Sequence, residues 1–165
     1  MFSLLLLCCL MPVRDGSVIF CQDGLLVKPI YNHTGSTIVH TAIILYENDK
    51  PYVFEATWPR VRKVPLEQYY QILENCKKER PKYSWFVEQP RHVFTDIQLT
   101  KMKQYANSQL GRRYMLRGWV EGREVRGIFC SEYTGNILEQ SGLIKSANFK
   151  ESPISLKEKI KDFYD

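Results

Sequence analysis

Gly127-Ile128-Phe129-Cys130-Ser131-Glu132-Tyr133 is the stretch that decides how this sequence is interpreted. Two apolar residues precede Cys130, and residues 131–141 show the periodicity of a helix that stops at Gly142. A glycine suits the left-handed position just past a helix end. Cys130 therefore falls in the first turn, where unpaired N–H groups and the helix dipole favour a thiolate over a thiol. The same pattern also fits a cysteine that is only a small buried hydrophobic residue.

The length and composition are those of an ordinary soluble globular protein. The chain has 165 residues, of which 44% are hydrophobic and 25% charged. We expect residues 14–165 to form one domain with a sizeable core. The net charge of +5 is mild, and the densest basic spots, at residues 77–82 and 112–113, do not form a stripe. We therefore expect no nucleic-acid partner.

The cysteines are few, odd in number and scattered. None forms a CxxC pair, and no His/Cys cluster has the spacing of a zinc site. This pattern argues against a disulfide framework and is compatible with one working thiol. We accordingly expect neither a metal nor another cofactor. The five positions are Cys8, Cys9, Cys21, Cys76 and Cys130.

The N-terminal residues 1–13 form an apolar segment that resembles part of a targeting signal. The run from Phe2 to Leu10 is shorter than the roughly twenty residues that span a bilayer. No basic residue precedes it, and no small-x-small cleavage site follows. An export signal, a weak membrane tether through residues 2–10 and a buried N-terminal strand all fit. The sequence thus leaves the location open between the cytoplasm and the exported or envelope-associated compartments.

A β-hairpin is predicted upstream of this cysteine. Residues 38–46 are rich in β-branched and aromatic side chains, as are residues 52–58. Between them lies Glu47-Asn48-Asp49-Lys50, and Asn and Asp tolerate the positive φ angles of a tight turn. The pattern predicts two antiparallel strands joined at Asn48-Asp49.

A two-residue turn fixes which side chains of this hairpin are neighbours. It pairs Ala42 with Glu55 and His40 with Thr57, so that His40 and Glu55 are diagonal neighbours on one face. Their β-carbons would then lie at most about 7–8 Å apart, within side-chain reach. A histidine and a carboxylate so placed form a general base and the residue that orients it. A purely structural His–Glu hydrogen bond also fits.

The order of these residues differs from that of papain-like enzymes, because here the cysteine comes after the histidine and the carboxylate. Together with four local motifs, this order resembles the circularly permuted papain-like amidases, the YiiX-like branch of the NlpC-type cysteine hydrolases. The resemblance covers roughly residues 14–145. Its motifs are Asp15-Gly16-Ser17-Val18-Ile19-Phe20, Val39-His40-Thr41-Ala42-Ile43, Val53-Phe54-Glu55-Ala56, and Leu110-Gly111-Arg112-Arg113-Tyr114 with Phe129-Cys130-Ser131-Glu132.

The resemblance implies an α+β, permuted papain-like fold, with a small antiparallel sheet or partial barrel packed against helices. It also implies a hydrolase with Cys130 as nucleophile, His40 as general base and Glu55 as orienter. The backbone N–H of Cys130, helped by the Tyr114 hydroxyl, would stabilise the oxyanion. The expected reaction is cleavage of an amide bond in a peptide, a cell-wall peptide or an N-acyl group.

Other functions fit the same residues. Ester or thioester chemistry, as in an acyltransferase or thioesterase, uses an identical triad. A non-catalytic module on the same fold could bind a peptide or lipid, and in a structural protein His40 and Cys130 would be core residues only. The expected partner is a small peptide, amide or lipid-like substrate. Residues 22–37 and 115–127, expected as loops that shape the cleft, carry no recognisable binding motif.

Overall fold

One antiparallel sheet organises the residues that the computed structural model describes, which are 13–25, 27–123, 126–146 and 150–165. Its strand order is β4-β3-β2-β1-β5. The strands are β1 (Val18–Gln22), β2 (Ile38–Glu47), β3 (Lys50–Ala56), β4 (Val61–Pro65) and β5 (Ser84–Glu88). The helices are α1 (Val27–Thr34), α2 (Leu66–Glu79), α3 (Asp96–Ser108), α4 (Arg117–Glu121), α5 (Cys130–Glu139) and α6 (Pro153–Ile160). The prediction of an α+β fold with a small antiparallel sheet is confirmed.

The hairpin of β2 and β3 turns where the sequence predicts it. Asn48 and Asp49 have φ angles of 50° and 61°, and Glu47 pairs with Lys50. This register continues to Ile43 and Phe54, where the ladder between the two strands ends. The further pairs that we predicted, Ala42 with Glu55 and His40 with Thr57, are therefore absent from the ladder. The strands keep the expected register but stop pairing before they reach the histidine and the carboxylate.

Both faces of the sheet are buried, because successive residues of a strand point to opposite faces. One face packs against α3, α5 and α6, and the other packs against α2. This double burial explains why β2 is apolar almost throughout rather than alternating. The first core includes Val18, Phe20, Ile43, Leu45, Phe54, Met102, Tyr133, Ile137 and Leu156. The second includes Ile19, Cys21, Ala42, Ile44, Val53, Tyr69 and Leu73.

Two helices lie where the sequence predicted loops, within residues 22–37 and 115–127. The first, α1, contains Pro29 at its third position. A proline is tolerated there because the first N–H groups of a helix have no intrahelical partner. The second, α4, ends at Gly122, which has a φ of 64°. The elements around the cleft are thus more ordered than the composition suggested.

The structure provides limited information on the predicted apolar segment and on membrane-spanning helices. Residues 1–12, which make up all but the last residue of the predicted apolar segment, lie outside the described residues. Among the residues that are described, no helix has both the length and the apolar character needed to cross a membrane.

Candidate active site

His40 and Glu55 form a close pair where β2 and β3 have stopped pairing. His40 Nε2 lies 2.7 Å from Glu55 Oε2, and the His40 side chain is 21% exposed. Both residues lie on the sheet face that packs against α2, because Ala42 and Val53, two positions away, belong to that core. The hairpin register thus brings the two side chains together as predicted.

Glu55 is buried and is held by two residues besides the histidine. Arg62, its cross-strand neighbour on β4, donates from Nε to Oε1 at 2.7 Å, and its Nη2 lies 2.6 Å from the same oxygen. Tyr69 of α2 donates its hydroxyl to Oε2 at 3.0 Å. Burial raises the pKa of Glu55, but the hydrogen bond and charge of His40, with Arg62, outweigh it and hold the pKa below its ordinary value. Glu55 is therefore a fixed, ionised carboxylate.

Cys130 is the first residue of α5 and is buried against the histidine. Its thiol lies beside the His40 ring and near the backbone of Thr41 and Ser131. Since Nε2 of His40 is bonded to Glu55, Nδ1 is the ring nitrogen left for the sulfur. The helix start is anchored by packing rather than by a side-chain cap, because Phe129 at the N-cap makes no capping bond.

Cys130 and His40 shift one another's pKa in opposite directions. Burial raises the pKa of the Cys130 thiol, but the hydrogen bond and positive charge of His40 outweigh it and lower the pKa. Burial likewise lowers the pKa of His40, whereas the bonds to Cys130 and Glu55 raise it well above its ordinary value. The two shifts together favour a thiolate–imidazolium ion pair, which is the reactive form of a cysteine nucleophile.

Tyr114, which the sequence predicts to contact the substrate, lies close to this pair. Its backbone forms a parallel bridge with Ile128, just upstream of Cys130, and its N–H donates to the Pro59 carbonyl at 3.0 Å. Burial raises the pKa of Tyr114, and the negative charge of Cys130 raises it further, so the hydroxyl stays protonated. That hydroxyl makes no hydrogen bond to any residue that the structure describes. It is available as a donor beside Cys130.

A cavity of about 450 Å³ opens beside these residues. His40, Glu55 and Tyr114 line its reactive end, and α2 forms one wall. Most of the remaining lining is apolar, including Leu25, Val39, Trp58, Ile72, Leu73 and Leu116. Its volume lies within the range of about 300–1,000 Å³ that is typical of small-molecule sites.

The donor atoms at this site do not form a metal centre. In the described parts of the chain, no group of three or more His, Cys, Asp or Glu side chains could hold a metal ion. Both oxygens of Glu55 accept from protein donors, and His40 is shared between Glu55 and Cys130. These contacts fit a proton-transfer chain better than a set of metal ligands, which would need the same lone pairs.

Arg62 and Tyr69 belong to the site, although the sequence did not identify them as site residues. For Arg62 the sequence contains a usable signal. A short strand after residue 58 would form a second hairpin with the strand of Glu55 and place Arg62 opposite Glu55. The helical spacing of apolar residues around Tyr69 indicates that it faces inward, but it does not indicate which sheet face this helix covers. Only the packing of α2 against β3 and β4 brings its hydroxyl to Glu55.

Comparisons with known proteins give one consistent relationship, although no family model matches the chain. Over 130 residues, the chain is 28% identical to the uncharacterised protein YiiX of Escherichia coli strain K12. This chain is homologous to YiiX. The alignment covers 78% of the chain but 58% of YiiX, so the chain spans less than two thirds of that relative.

A solved structure agrees with the sequence relationship. The crystal structure of YiiX from Escherichia coli O157:H7, which is described as a metalloprotein, superposes with a TM-score of 0.59 at 27% identity. The superposition covers 78% of this chain and 66% of the YiiX chain. The relationship to YiiX therefore rests on both sequence and fold.

Proposed function

We propose that this protein is a cysteine hydrolase that cleaves an amide bond, built on a permuted papain-like fold. The observation that carries the proposal is that Cys130 lies beside the His40 ring, whose Nε2 is 2.7 Å from Oε2 of the buried Glu55 carboxylate. A nucleophile beside a base, and a base held by an orienting carboxylate, are the parts that acyl transfer requires. Their position beside a cavity supplies room for a substrate.

In the first half-reaction the Cys130 thiolate attacks the carbonyl carbon of the amide, and a C–S bond forms. The negative charge moves to the carbonyl oxygen, where the N–H of Cys130 and the Tyr114 hydroxyl act as donors. The tetrahedral intermediate then collapses and the C–N bond breaks. The imidazolium of His40 gives its proton to the leaving nitrogen, which departs as an amine, and the acyl group stays on Cys130 as a thioester.

In the second half-reaction water replaces the amine. Neutral His40 takes a proton from water, and the resulting hydroxide attacks the thioester carbonyl. The C–S bond breaks, the carboxylic acid leaves, and the thiolate–imidazolium pair is restored. Glu55 stays ionised throughout: it fixes the ring orientation and stabilises the imidazolium, as the acid of a Ser-His-Asp triad does.

The description of the solved YiiX structure as that of a metalloprotein has no counterpart in this mechanism. The described residues here do not fit a resident metal, so the proposed steps use protein groups alone. Ester and thioester substrates would pass through the same thioester on Cys130. We place amide hydrolysis first because the family resemblance is to amidases.

Trapping of the covalent intermediate tests this proposal. Brief incubation of the purified protein with p-nitrophenyl hexanoate should add one hexanoyl group to Cys130, detected by peptide mass spectrometry. An N-hexanoyl aminocoumarin amide should then show whether amides turn over. Cys130→Ser should lose the sulfur-linked adduct and the turnover while it keeps the wild-type melting temperature. An acyl group found only on other residues, or wild-type turnover by folded Cys130→Ser, would refute the proposal.

A further inference from the structure

Two arginines lie opposite each other beside β4, the edge strand of the sheet, and neither of them lines the cavity. Arg60 and Arg113 form an antiparallel β-bridge. The backbone hydrogen bonds that flank the bridge, of 2.8 and 3.0 Å, join the residues on either side of the arginines rather than the arginines themselves. In such a pair the Cα atoms are about 4.5 Å apart and the side chains are at their closest.

Both arginine side chains point to the same side of the sheet. Val61, the residue after Arg60, is buried in the first core. The side chain of Arg112, the residue before Arg113, donates to the Gly127 carbonyl at 2.9 Å. Because successive residues of an extended chain point to opposite sides, Arg60 and Arg113 point away from that core. Both are exposed to solvent.

Neither guanidinium has an anionic partner in the part of the chain that the structure describes. Arg60 and Arg113 take part in no ion pair or side-chain hydrogen bond with any described residue. The Glu55 carboxylate, on the same side of the sheet, is already bonded to Arg62. Like charges directly opposite one another are destabilising. The protein thus holds two cations together without supplying the charge that would compensate them.

The backbone that carries Arg113 is fixed along both of its edges. One edge is bonded to residues 59–61. On the other edge the Ile128 N–H donates to the Arg113 carbonyl at 3.0 Å, and the Met115 N–H donates to the Ile128 carbonyl at 3.0 Å. A Cβ on Gly127 would lie 2.9 Å from that Arg113 oxygen, so a glycine is what permits the close approach. The arginine pair is therefore presented by an ordered backbone, which lowers the cost of ordering on binding.

The chemistry of two guanidinium groups selects among anions. A single guanidinium already matches both oxygens of a carboxylate, which carries one charge. A phosphate monoester carries between one and a half and two negative charges near neutral pH, and it offers three strong acceptor oxygens. It can therefore accept from both guanidinium groups at once and compensate both charges.

We propose that Arg60 and Arg113 together bind a phosphate group, either free or as a monoester. The inference goes beyond the proposed hydrolase, because it uses neither Cys130 nor the cavity. Each of the two proposals can fail without the other.

Isothermal titration calorimetry with inorganic phosphate at pH 8 tests the site. Phosphate should bind with a stoichiometry of one and about tenfold more tightly than acetate at the same ionic strength. Arg60→Gln and Arg113→Gln should each weaken phosphate binding about tenfold, because each removes charge-assisted hydrogen bonds. Lys101→Gln, which removes an exposed charge on α3, is the matched control and should leave the affinity unchanged. Equal binding of phosphate and acetate, or equal losses in all three variants, would overturn the inference.

Thermal melts supply a second measurement and show whether each variant is folded. Both arginines are exposed, and replacing one by glutamine removes the repulsion between them. Without phosphate, Arg60→Gln and Arg113→Gln should therefore melt at the wild-type temperature or above it. Phosphate should raise the melting temperature of the wild-type protein, because it binds the folded state, and should raise that of the two variants much less. An equal rise in the wild-type protein and both variants would contradict the site.

Further probes identify the source of the phosphate group. Glycerol 3-phosphate should compete with inorganic phosphate, whereas glycerol should not. Cosedimentation with phosphatidylcholine vesicles that contain phosphatidate, lost in both arginine variants, would identify a lipid headgroup as the source. Competition by glycerol 3-phosphate without cosedimentation would identify a soluble monoester. Failure of glycerol 3-phosphate to compete would restrict the site to free phosphate and overturn the monoester.

The Cys130→Ser variant separates this inference from the proposed function. It should bind phosphate with the wild-type affinity. Phosphate binding that depends on both arginines, with no acyl group on Cys130 of the wild-type protein, would support the phosphate site and refute the hydrolase. Acylation of Cys130 by a protein that does not bind phosphate would support the hydrolase and refute the phosphate site.

Discussion

His40 Nε2 lies 2.7 Å from Glu55 Oε2 although the ladder between their strands ends at Ile43 and Phe54. The pair is thus not held by backbone pairing of β2 with β3 at its own level. Instead, Arg62 on β4 and Tyr69 on α2 hold Glu55 in place through hydrogen bonds to its carboxylate. The orientation of the histidine consequently depends on elements that contribute nothing to the chemistry.

Removal of either reacting side chain should abolish turnover. Cys130→Ser replaces the thiolate by a far weaker nucleophile, and His40→Ala removes both the ion-pair partner and the proton donor. We expect residual activity at background for each, measured on the aminocoumarin amide alongside thermal melts. His92→Ala, an exposed histidine, serves as the matched control and should keep wild-type rates. Equal losses in the His92 and His40 variants would count against a chemical role for His40.

Cys130 should be the most reactive of the five thiols, and its reactivity should depend on His40. Its pKa is lowered from 9.0, because His40 outweighs the opposing effect of burial. Its labelling rate with iodoacetamide should therefore reach half of its maximum below pH 9. In His40→Ala only burial and the backbone bonds remain, so the midpoint should move upward. Peptide mass spectrometry at limiting reagent gives the rate for each site.

The other cysteines provide the comparison for this labelling. Burial raises the pKa of Cys21, so this thiol should react more slowly than Cys130 at neutral pH. Preferential labelling of Cys21 or Cys76 would contradict the prediction. An unchanged midpoint in His40→Ala would show that the ion pair does not control the thiol.

Glu55 should matter less than the two reacting groups. Glu55→Gln keeps the size and one acceptor but loses the charge that supports the imidazolium, so activity should fall without disappearing. Tyr69→Phe removes one hydrogen bond, worth about 1 kcal/mol, and should lower kcat by about fivefold at most. Glu47→Gln, at the far end of the same hairpin, should not change kcat. Total loss in folded Glu55→Gln would instead assign Glu55 an essential role in proton transfer.

The same carboxylate should make stability depend on acid pH. The pKa of Glu55 is lowered from 4.5 in the folded protein, so its stabilising effect is complete above that value. It is lost as the pH falls from 4.5 through the folded pKa. The raised pKa of His40 acts oppositely: its stabilisation is complete below 6.5 and is lost as the pH rises through its folded pKa.

Chemical denaturation between pH 2 and pH 6 measures this dependence. The wild-type free energy of unfolding should fall more steeply below pH 4.5 than that of Glu55→Gln, which has no carboxylate to protonate. Comparison of the two proteins removes the contribution of the other acids. Parallel curves would show that Glu55 is not a stabilised carboxylate.

The sequence was sufficient for the features that depend on local patterns. Asn48 and Asp49 identify the turn, and the turn sets the register that places His40 and Glu55 on one face. Gly142 and the apolar spacing before it identify the helix that begins at Cys130. These predictions need only neighbouring residues, for which turn chemistry and periodicity are direct physical signals.

The features that the sequence did not reveal depend on packing between distant elements. The end of the β2–β3 ladder at Ile43 is not marked by a glycine or proline at that point. The contact of Tyr69 with Glu55 requires α2 to cover one particular sheet face, and amphipathicity alone does not say which face. The helix α1 was predicted as a loop because it contains Pro29, and a proline in the first turn of a helix cannot be distinguished by sequence from a proline in a loop.

The late position of Cys130 in the chain has a consequence for protein synthesis. The hairpin that carries His40 and Glu55 leaves the ribosome well before Cys130 is added, and domains begin to fold as they emerge. Until α5 docks on the sheet, the thiol lacks its histidine and behaves like any exposed cysteine, with a pKa near the ordinary 9.0. The nascent chain therefore carries no activated thiol. Cys130 becomes reactive only after α5 has docked on the folded sheet.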